Sequence, residues 1–295
     1  MIDTKCIFCK NNNNIIEKFK ANISLNEIKS DFVSTRARNN TKHYRIIKCN
    51  NCGLHFSNPV LDQNELSELY KNSSDEHTSE SNDAAEVYFD FLKKTNIKKD
   101  NYLLEIGCGD GIFLKKALEF GIKNVCGIEP SKTAVSNSDP EIKKHIINDV
   151  FSKDSLNGKK FDVICAFMVL DHLLEPDKFL NDCLSLLNHG GKIILVTHNI
   201  DSYLTFILGE KNPVINLGHI YYFNKNTISK LLAESGFKNI KVKNLKNSYK
   251  LKYWIEMLPV NYKIKNIFIK LSGLLKLLDL KIGLNVGNII TYAEK

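Results

Sequence analysis

The sequence feature that most constrains the fold is a short apolar strand that runs directly into a glycine turn. Residues 102–106 predict a buried parallel strand with Glu105 near its carboxyl end. Gly107, Gly109 and Gly111 then make a tight turn into a helix. Glycines at these positions let a ligand approach the backbone, and the helix N-terminus offers unpaired N–H groups. The spacing Gly-x-Gly-x-Gly differs from the Gly-x-Gly-x-x-Gly of dinucleotide sites.

This stretch resembles motif I of the class I S-adenosylmethionine (SAM) methyltransferases, whose pattern is Glu/Asp-x-Gly-x-Gly-x-Gly. The resemblance implies that Glu105 handles the methionine end of SAM, partly through water. It also implies that the turn, including Cys108, lies against the cofactor. A merely structural corner between strand and helix is the alternative for the glycine turn taken alone.

From residue 97 onward the pattern alternates between strand and helix, as a parallel sheet requires. The second predicted strand ends on Glu129, whose carboxylate can accept hydrogen bonds from both ribose hydroxyls of a nucleotide. The resemblance assigns Glu129 and Pro130 to the ribose of SAM, and Asp149 with the adjacent Val150 to its adenine. An exposed loop aspartate is the alternative for Asp149.

The fourth predicted strand ends on Phe167, which is expected to line the cofactor site, and the chain continues to Asp171-His172. This pair resembles the Leu-Glu-His motif of small-molecule class I methyltransferases, with Asp171 in place of the common glutamate. Because parallel strands open a crevice at their carboxyl ends, His172 is expected to face the reacting methyl group.

A second histidine, His219, precedes the aromatic run at 221–223 and resembles the Glu-His-x-x-Tyr/Phe-Phe pattern of related enzymes. Gly218 replaces the glutamate of that pattern, so no carboxylate role is expected there. The resemblance places His219 in the acceptor pocket. We predict that His219 is the general base and that His172 orients the acceptor. The exchanged assignment, and a structural role for either histidine, are the alternatives.

Three further predicted strands, 192–197, 239–245 and 288–293, complete the sheet. The resemblance implies a Rossmann-like α/β fold of seven strands, six parallel and the seventh antiparallel. A helix predicted over 84–94 carries Tyr88, which the resemblance places in a cover over the cofactor. Core packing is the alternative for Tyr88.

Two Cys-x-x-Cys pairs, at Cys6 and Cys9 and at Cys49 and Cys52, predict one structural zinc ion. Four thiolates close a tetrahedral site and leave no open position for chemistry. The alternative is four free cysteines without a metal. Nearby histidines, His43 and His55 among them, could each replace one thiolate, but we treat them as bystanders.

These features predict three parts of the chain. Residues 1–58 form a zinc-ribbon-like module in which the segment between the cysteine pairs folds as a loop or hairpin. Residues 59–96 form a helical linker and cofactor cover that contains a polar loop over 72–83. Residues 97–295 form the SAM-binding core, with a basic amphipathic helical insertion over 241–286.

The net charge of +8 is concentrated in the insertion, where residues 241–281 contain ten lysines and two acidic residues. A basic amphipathic helix over 263–281 can lie on a membrane surface, or cover a partner or the pocket. A helix packed on the core with its lysines in water is the alternative. The polar N-terminus does not resemble a signal peptide, and eight cysteines indicate a reducing compartment. We therefore expect a cytoplasmic protein, with the inner membrane face as a peripheral location.

Relatives with a similar zinc module methylate nucleotide-linked or surface-glycan sugars, so a sugar O-methyltransferase of polysaccharide biosynthesis is the first prediction. Sugar C-methylation is one alternative, and a zinc-ribbon RNA methyltransferase is another. Nucleic acid is not expected, because the fourth strand lacks the motifs of nucleobase methylation and the basic region lacks aromatic residues spaced to stack bases. A non-catalytic SAM-binding scaffold is the remaining class.

Overall fold

The computed structural model describes residues 1–24, 27–28, 42–73, 79–258 and 260–295. Its strands are β1 (Ile15–Phe19), β2 (Ile46–Cys49), β3 (His55–Ser57), β4 (Tyr102–Ile106), β5 (Asn124–Ile128), β6 (Ile146–Ile147), β7 (Phe161–Phe167), β8 (Leu187–His198), β9 (Tyr221–Tyr222), β10 (Lys238–Lys250) and β11 (Lys281–Glu294). Its α-helices are α1 (Gln63–Lys71), α2 (Ser79–Lys93), α3 (Ile112–Phe120), α4 (Lys132–Ser136), α5 (Pro140–Lys143), α6 (Pro176–Leu186), α7 (Tyr203–Leu208), α8 (Lys225–Glu234), α9 (Leu251–Met257) and α10 (Tyr262–Leu274).

A seven-stranded sheet in the order β10-β11-β8-β7-β4-β5-β6 forms the centre of the molecule. β11 runs antiparallel to both of its neighbours, and the pairs among β8, β7, β4, β5 and β6 are parallel. The central strands are buried on both faces, because Leu104 and Ile164 on one face and Leu103 and Cys165 on the other have no exposed surface. The structure therefore confirms the predicted Rossmann-like α/β class, with six parallel strands and an antiparallel seventh.

The lengths of several strands differ from the predicted ones. β8 begins at Leu187, five residues before the predicted start, and β6 pairs over Ile146–Ile147 only. β10 and β11 extend well beyond the prediction and pair with each other from Lys238 opposite Glu294 to Lys250 opposite Lys281. The added part of β11 does alternate, with Ile282, Leu284 and Val286 separated by polar residues or glycine, so it carries a strand signal that the prediction of a helical insertion missed. The helices between these strands are confined to α9 and α10.

A small four-stranded antiparallel sheet, β1-β2-β3-β9, includes Cys49 at the end of β2 and joins the cysteine-bearing segments to the rest of the chain. Its last strand, β9, comes from the segment that follows α7, and Phe56 of β3 lies opposite Tyr221 of β9. One apolar core runs through both sheets and includes Phe56, Leu104 and Phe223. The N-terminal module is therefore packed on the core through a shared sheet, and its independence as a domain over 1–58 stays a prediction.

The basic insertion exposes apolar surface. None of the residues of α10 is buried, and Phe268, Leu271 and Leu274 are between half and four-fifths exposed. The alternative in which this helix packs into the core therefore does not hold. Among the described residues, no helix has the length and apolar character needed to cross a bilayer. Contact with a membrane surface stays a prediction.

Two sequence-based expectations fall on residues outside the described ranges. The segment between the cysteine pairs, 10–48, includes 25–26 and 29–41, although its described ends pair as the antiparallel strands β1 and β2, and the polar loop predicted over 72–83 includes 74–78.

Candidate active site

A cavity of about 1040 Å³ opens where four parallel strands end. It is lined by the last residues of β4, β5, β7 and β8, which are Ile106, Ile128, Phe167 and His198. A single drug-sized ligand fills a cavity of about 300–1,000 Å³. This cavity therefore has room for a nucleotide-sized cofactor and for part of an acceptor beside it.

The glycine turn forms one wall of the cavity. Gly107 has a φ of +72°, and a Cβ atom there would lie 2.6 Å from a methyl group of Val169. Glu129 fixes the turn, because its carboxylate accepts the Gly109 N–H and the Ser131 N–H, each at 2.8 Å. α3 begins directly after the turn without a side-chain cap, so the N–H groups of its first turn are available to a ligand.

Most of the predicted cofactor residues line this cavity, namely Tyr88, Glu105, Gly107, Cys108, Gly109, Glu129, Pro130, Val150 and Phe167. The rings of Tyr88 and Phe167 pack together with centroids 4.4 Å apart. Tyr88 therefore packs in the core and also lines the cavity. Gly111 and Asp149 are not among the lining residues. The half-exposed carboxylate of Asp149 lies 3.8 Å from the ammonium group of Lys71.

The two predicted histidines meet at the other end of the cavity. His172 lies in a one-turn 3₁₀ helix, Leu170–His172, that follows β7, and His219 lies just before β9. Their ring centroids are 4.5 Å apart. The two loops are hydrogen-bonded to each other, because the Ile220 N–H donates to the Asp171 carbonyl at 2.8 Å and His172 Nδ1 donates to the Gly218 carbonyl at 2.7 Å.

Sequence reasoning missed His198, the last residue of β8, whose ring centroid lies 5.0 Å from that of His219. The signal that could have found it is its position, since the carboxyl end of a parallel strand borders the crevice. Tyr70 of α1 was missed as well; its hydroxyl lies 3.2 Å from His172 Nδ1.

Burial controls the charge of this histidine cluster. It lowers the pKa of His219 to about 3 and also lowers the pKa of His172, so both imidazoles are neutral at ordinary pH. Burial alone would raise the pKa of Asp171, but attraction to the neighbouring histidines when they carry a proton outweighs it, so the pKa of this carboxyl lies below its usual value. The acceptor end of the cavity therefore contains a carboxylate beside His172 and His219, whose burial disfavours their charged forms.

An aromatic cluster that the sequence did not predict lines a further part of the cavity. Tyr249 lies at the end of β10, and Tyr253 and Trp254 lie on α9. The ring centroids of the three residues are 4.5 to 5.5 Å apart. The indole N–H of Trp254 donates to the Ile282 carbonyl at 2.8 Å, which fixes the plane of the ring.

The four predicted metal-binding cysteines also come together. The sulfur atoms of Cys6 and Cys52 are 3.3 Å apart, and those of Cys9 and Cys49 are 3.7 Å apart. All four lie within 4.8 Å of one another. Two thiolates on one tetrahedral zinc ion, with bonds of about 2.3 Å, are roughly 3.8 Å apart, so the cluster fits such an ion. His43 and His55 are not part of this cluster.

Comparison with curated proteins finds relatives that share part of this chain. The tRNA U34 carboxymethyltransferase of Campylobacter fetus is 27% identical over 168 residues, which cover 55% of this chain and 60% of that protein. The protein of the same name from Helicobacter acinonychis is 30% identical over 144 residues, covering 46% and 55% respectively. The matched region thus spans little more than half the length of these relatives.

Comparison with solved structures supports the fold. The YcgJ protein from Bacillus subtilis superposes with a TM-score of 0.50 at 14% identity, over 71% of this chain and 98% of that one.

The family comparison covers the glycine turn and the acceptor loops. A family model described as a methyltransferase domain matches residues 79–242, which is more than half of the chain. The matched span contains Glu129 and the glycine turn that it holds, the cavity wall formed by β4 to β8, and both predicted histidines. The chain therefore belongs to the methyltransferase-domain family and is a SAM-dependent methyltransferase.

Proposed function

We propose that this enzyme transfers the methyl group of SAM to a tRNA. The observation that carries the proposal is the likeness to curated relatives whose names state that they modify tRNA at U34. Because those relatives are matched over only part of their length, the acceptor is a proposal for this chain.

The prediction of a sugar acceptor was wrong, and so was the expectation that nucleic acid is not a partner. The relatives from Campylobacter fetus and Helicobacter acinonychis are named as tRNA-modifying enzymes, and neither name refers to a sugar or a polysaccharide. The sequence argument against RNA relied on the spacing of aromatic residues along the chain. Folding instead assembles Tyr249, Tyr253 and Trp254 across a strand end and a helix.

The surface beside the cavity has features that suit RNA. The exposed side chains of β10 include Lys238, Lys241, Lys243 and Lys246. They are spread over about 27 Å of this edge strand at a rise of about 3.4 Å per residue, with Lys241 and Lys243 on one face and Lys246 on the other. The strand then ends at the aromatic cluster. A basic strand edge attracts phosphates, and aromatic rings stack on unpaired bases, so the lysines and the cluster together support binding of a single-stranded region of RNA.

On the cofactor side, we propose that Glu129 accepts hydrogen bonds from the ribose hydroxyls of SAM while it holds the glycine turn. Its two oxygens accept one backbone N–H each, and a carboxylate can accept about four hydrogen bonds in all. Glu105 and Cys108 are proposed to lie at the methionine end, and Tyr88 and Phe167 to pack on the cofactor. Asp149 stays a prediction for the adenine.

Replacing Glu129 with glutamine should weaken binding of S-adenosylhomocysteine. A hydrogen bond to a charged group contributes about 1.5–3 kcal/mol, and the amide cannot accept all of the same bonds. We expect a loss of affinity of at least about tenfold by calorimetry, equivalent to 1.4 kcal/mol. Glu119→Gln, an exposed change on α3, is the control and should bind normally. Equal affinities for the two variants would refute the assignment.

On the acceptor side, the geometry favours the exchanged roles of the two histidines. His172 donates its Nδ1–H to the Gly218 carbonyl, and its buried Nε2 has no hydrogen-bond partner among the described residues. His219 Nε2 instead lies 3.9 Å from the Asp171 carboxylate. We therefore assign proton acceptance to His172 and orientation of the acceptor to His219.

The variant His172→Asn tests this role. Asparagine retains an N–H near the position of Nδ1 but has no basic nitrogen, so the contact with Gly218 can persist while proton acceptance is lost. Turnover should fall by about two to four orders of magnitude. Affinity for S-adenosylhomocysteine should stay the same. His189→Ala, an exposed histidine at the opposite end of β8, is the matched control. Normal turnover in His172→Asn would remove the assignment.

The tRNA proposal itself is tested with SAM labelled in its methyl group and a bacterial tRNA pool. We expect label in material that is sensitive to ribonuclease, and mass spectrometry of the digested nucleosides gives the modified position. Tyr253→Ala/Trp254→Ala should weaken tRNA binding by about 1–3 kcal/mol per stacked base without changing affinity for S-adenosylhomocysteine. Tyr102→Ala removes a half-exposed aromatic ring at the amino end of β4, the strand end away from the cavity, and should have no effect.

The same digest identifies the transferred group. A carboxymethyl donor carries a carboxylate beside the reacting carbon and needs a cation near it. Among the described residues that line the cavity, Lys178 is the only lysine or arginine, and it lies 3.9 Å from Glu175. We therefore expect a product heavier by one methylene. No label in RNA from an enzyme that binds S-adenosylhomocysteine would refute the tRNA proposal.

We further propose that the four cysteines hold one structural zinc ion that supports the acceptor loop. β3, which follows the second cysteine pair, carries Ser57, and the Ser57 N–H donates to the Ile220 carbonyl at 2.8 Å. The Ser57 hydroxyl donates to the His219 carbonyl at 2.9 Å. Loss of the ion should therefore disturb the position of His219 more than it disturbs the glycine turn.

The variant Cys49→Ser/Cys52→Ser should contain one fewer zinc ion per chain by elemental analysis. Turnover should fall more than affinity for S-adenosylhomocysteine, because the cysteine module contacts the acceptor loop. Cys126→Ser, a change at a half-buried cysteine outside the cluster, should retain both zinc and turnover. Equal zinc contents in the two variants would show that the cysteines hold no metal.

A further inference from the structure

Three potential metal ligands from three separate segments meet at the acceptor end of the cavity. Asp171 follows β7, His198 ends β8, and His219 precedes β9. One ring nitrogen of each histidine and one carboxylate oxygen of Asp171 lie within 4.8 Å of one another. The distance from His219 Nε2 to Asp171 Oδ2 is 3.9 Å, too long for a hydrogen bond.

Hydrogen bonds to the outer nitrogens orient both imidazoles. His219 Nδ1 lies 2.6 Å from the Val214 carbonyl oxygen, and His198 Nδ1 lies 2.8 Å from Asn288 Oδ1. The Asn288 amide N–H donates to Asn247 Oδ1 at 3.0 Å, so the Asn288 oxygen faces the histidine. Each Nδ1 therefore carries the proton and each Nε2 the lone pair. Histidine ligands of metal ions are held in this way by an acceptor on the second nitrogen.

The negative charge of this cluster is not balanced by any cationic side chain of the described residues. Asp171 is 2% exposed, and its Oδ1 has no hydrogen-bond partner in the part of the chain that the structure describes. Its Oδ2 accepts a long bond of 3.4 Å from the His198 backbone N–H. Within the described residues, no lysine or arginine forms an ion pair with this carboxylate. A buried carboxylate that faces imidazole lone pairs is unfavourable unless a positive charge lies between them.

We propose that Asp171, His198 and His219 bind one divalent transition-metal ion, of the Zn²⁺ type, on the acceptor side of the cavity. Two imidazoles and one carboxylate are a donor set that such ions use when a coordination position stays open. Ligands bound at about 2.1 Å around a tetrahedral ion lie roughly 3.4 Å apart. The separation of 3.9 Å between His219 and Asp171 needs only a small contraction to reach this value.

The open position faces a cavity that His198 and His219 line, so it is available to an oxygen atom of an acceptor. That use of the metal rests on the proposed methyl transfer, whereas binding of the ion does not. The site is also separate from the four-cysteine cluster, which offers sulfur ligands only. The two sites therefore differ in spectroscopic signature, and this difference makes the proposal testable on the full-length protein.

The test uses Co²⁺ as a probe after removal of bound metal with a chelator. The cysteine site should give intense thiolate-to-cobalt charge-transfer bands. In the wild-type protein, a second equivalent of Co²⁺ should bind with weak d–d bands only. His198→Ala should lose this second equivalent, and elemental analysis after Zn²⁺ loading should show one ion fewer per chain. His189→Ala, an exposed histidine at the other end of β8, should retain it.

Affinity for S-adenosylhomocysteine serves as the check on folding and should be equal in the three proteins. Equal metal contents in the wild type and in His198→Ala would overturn the proposal, and a proton would then be the cation shared by the cluster. If His198→Ala fails to fold, the Co²⁺ titration of the wild-type protein is the deciding measurement. Saturation after one equivalent of Co²⁺, bound by thiolates, would also overturn the metal proposal. Neither result depends on methylation of RNA, so the two proposals fail separately.

Discussion

The buried parallel sheet is the constraint on which the rest of the molecule depends. Because β4, β5, β7 and β8 run in one direction and pair in register, their carboxyl ends lie in one row, and everything that follows them borders one cavity. The glycine turn follows β4, and Glu129 directly follows β5. His172 lies in the turn after β7, and His198 is the last residue of β8. These strands pair with neighbours on both sides and bury most of their side chains, so they fix the positions at which the loops after them begin.

The two ends of the cavity differ in the kind of polar group they present. At the cofactor end, backbone N–H groups of the turn and of α3 predominate, and the Glu129 carboxylate arranges them. At the acceptor end, His198, His219 and Asp171 present lone pairs and a negative charge. The Asp171 carboxylate favours a cation at this end, and the proposed metal ion would be that cation. The electrostatics of the acceptor end therefore support the metal site, whereas the methyltransferase assignment rests on the family match.

The cysteine module is connected to the chemistry through hydrogen bonds of one strand. β3 pairs with β9, and Ser57 bonds to the backbone of the loop that carries His219. A change in the four-cysteine cluster can therefore move an acceptor-side residue without any contact between the two. On the side of β10, the lysines of this strand and the aromatic cluster continue from the cavity as a surface that is suited to RNA binding. The proposed substrate would bridge a basic strand and a buried reaction site.

The sequence alone determined the fold class, because the alternation of apolar strands with amphipathic helices and the strand–glycine-turn–helix signal are local patterns. It also determined the four cysteines and the pair His172 and His219, whose spacing along the chain carries the information. Tertiary structure alone decided that His198 joins Asp171 and His219, and that Tyr249 packs against Trp254. Asp171, His198 and His219 come from separate segments, and Tyr249 and Trp254 stand on either side of a change from strand to helix, so no single periodicity links either group. The proximity of the metal-ligand residues follows from the sheet order, which packing selects and a linear pattern does not encode.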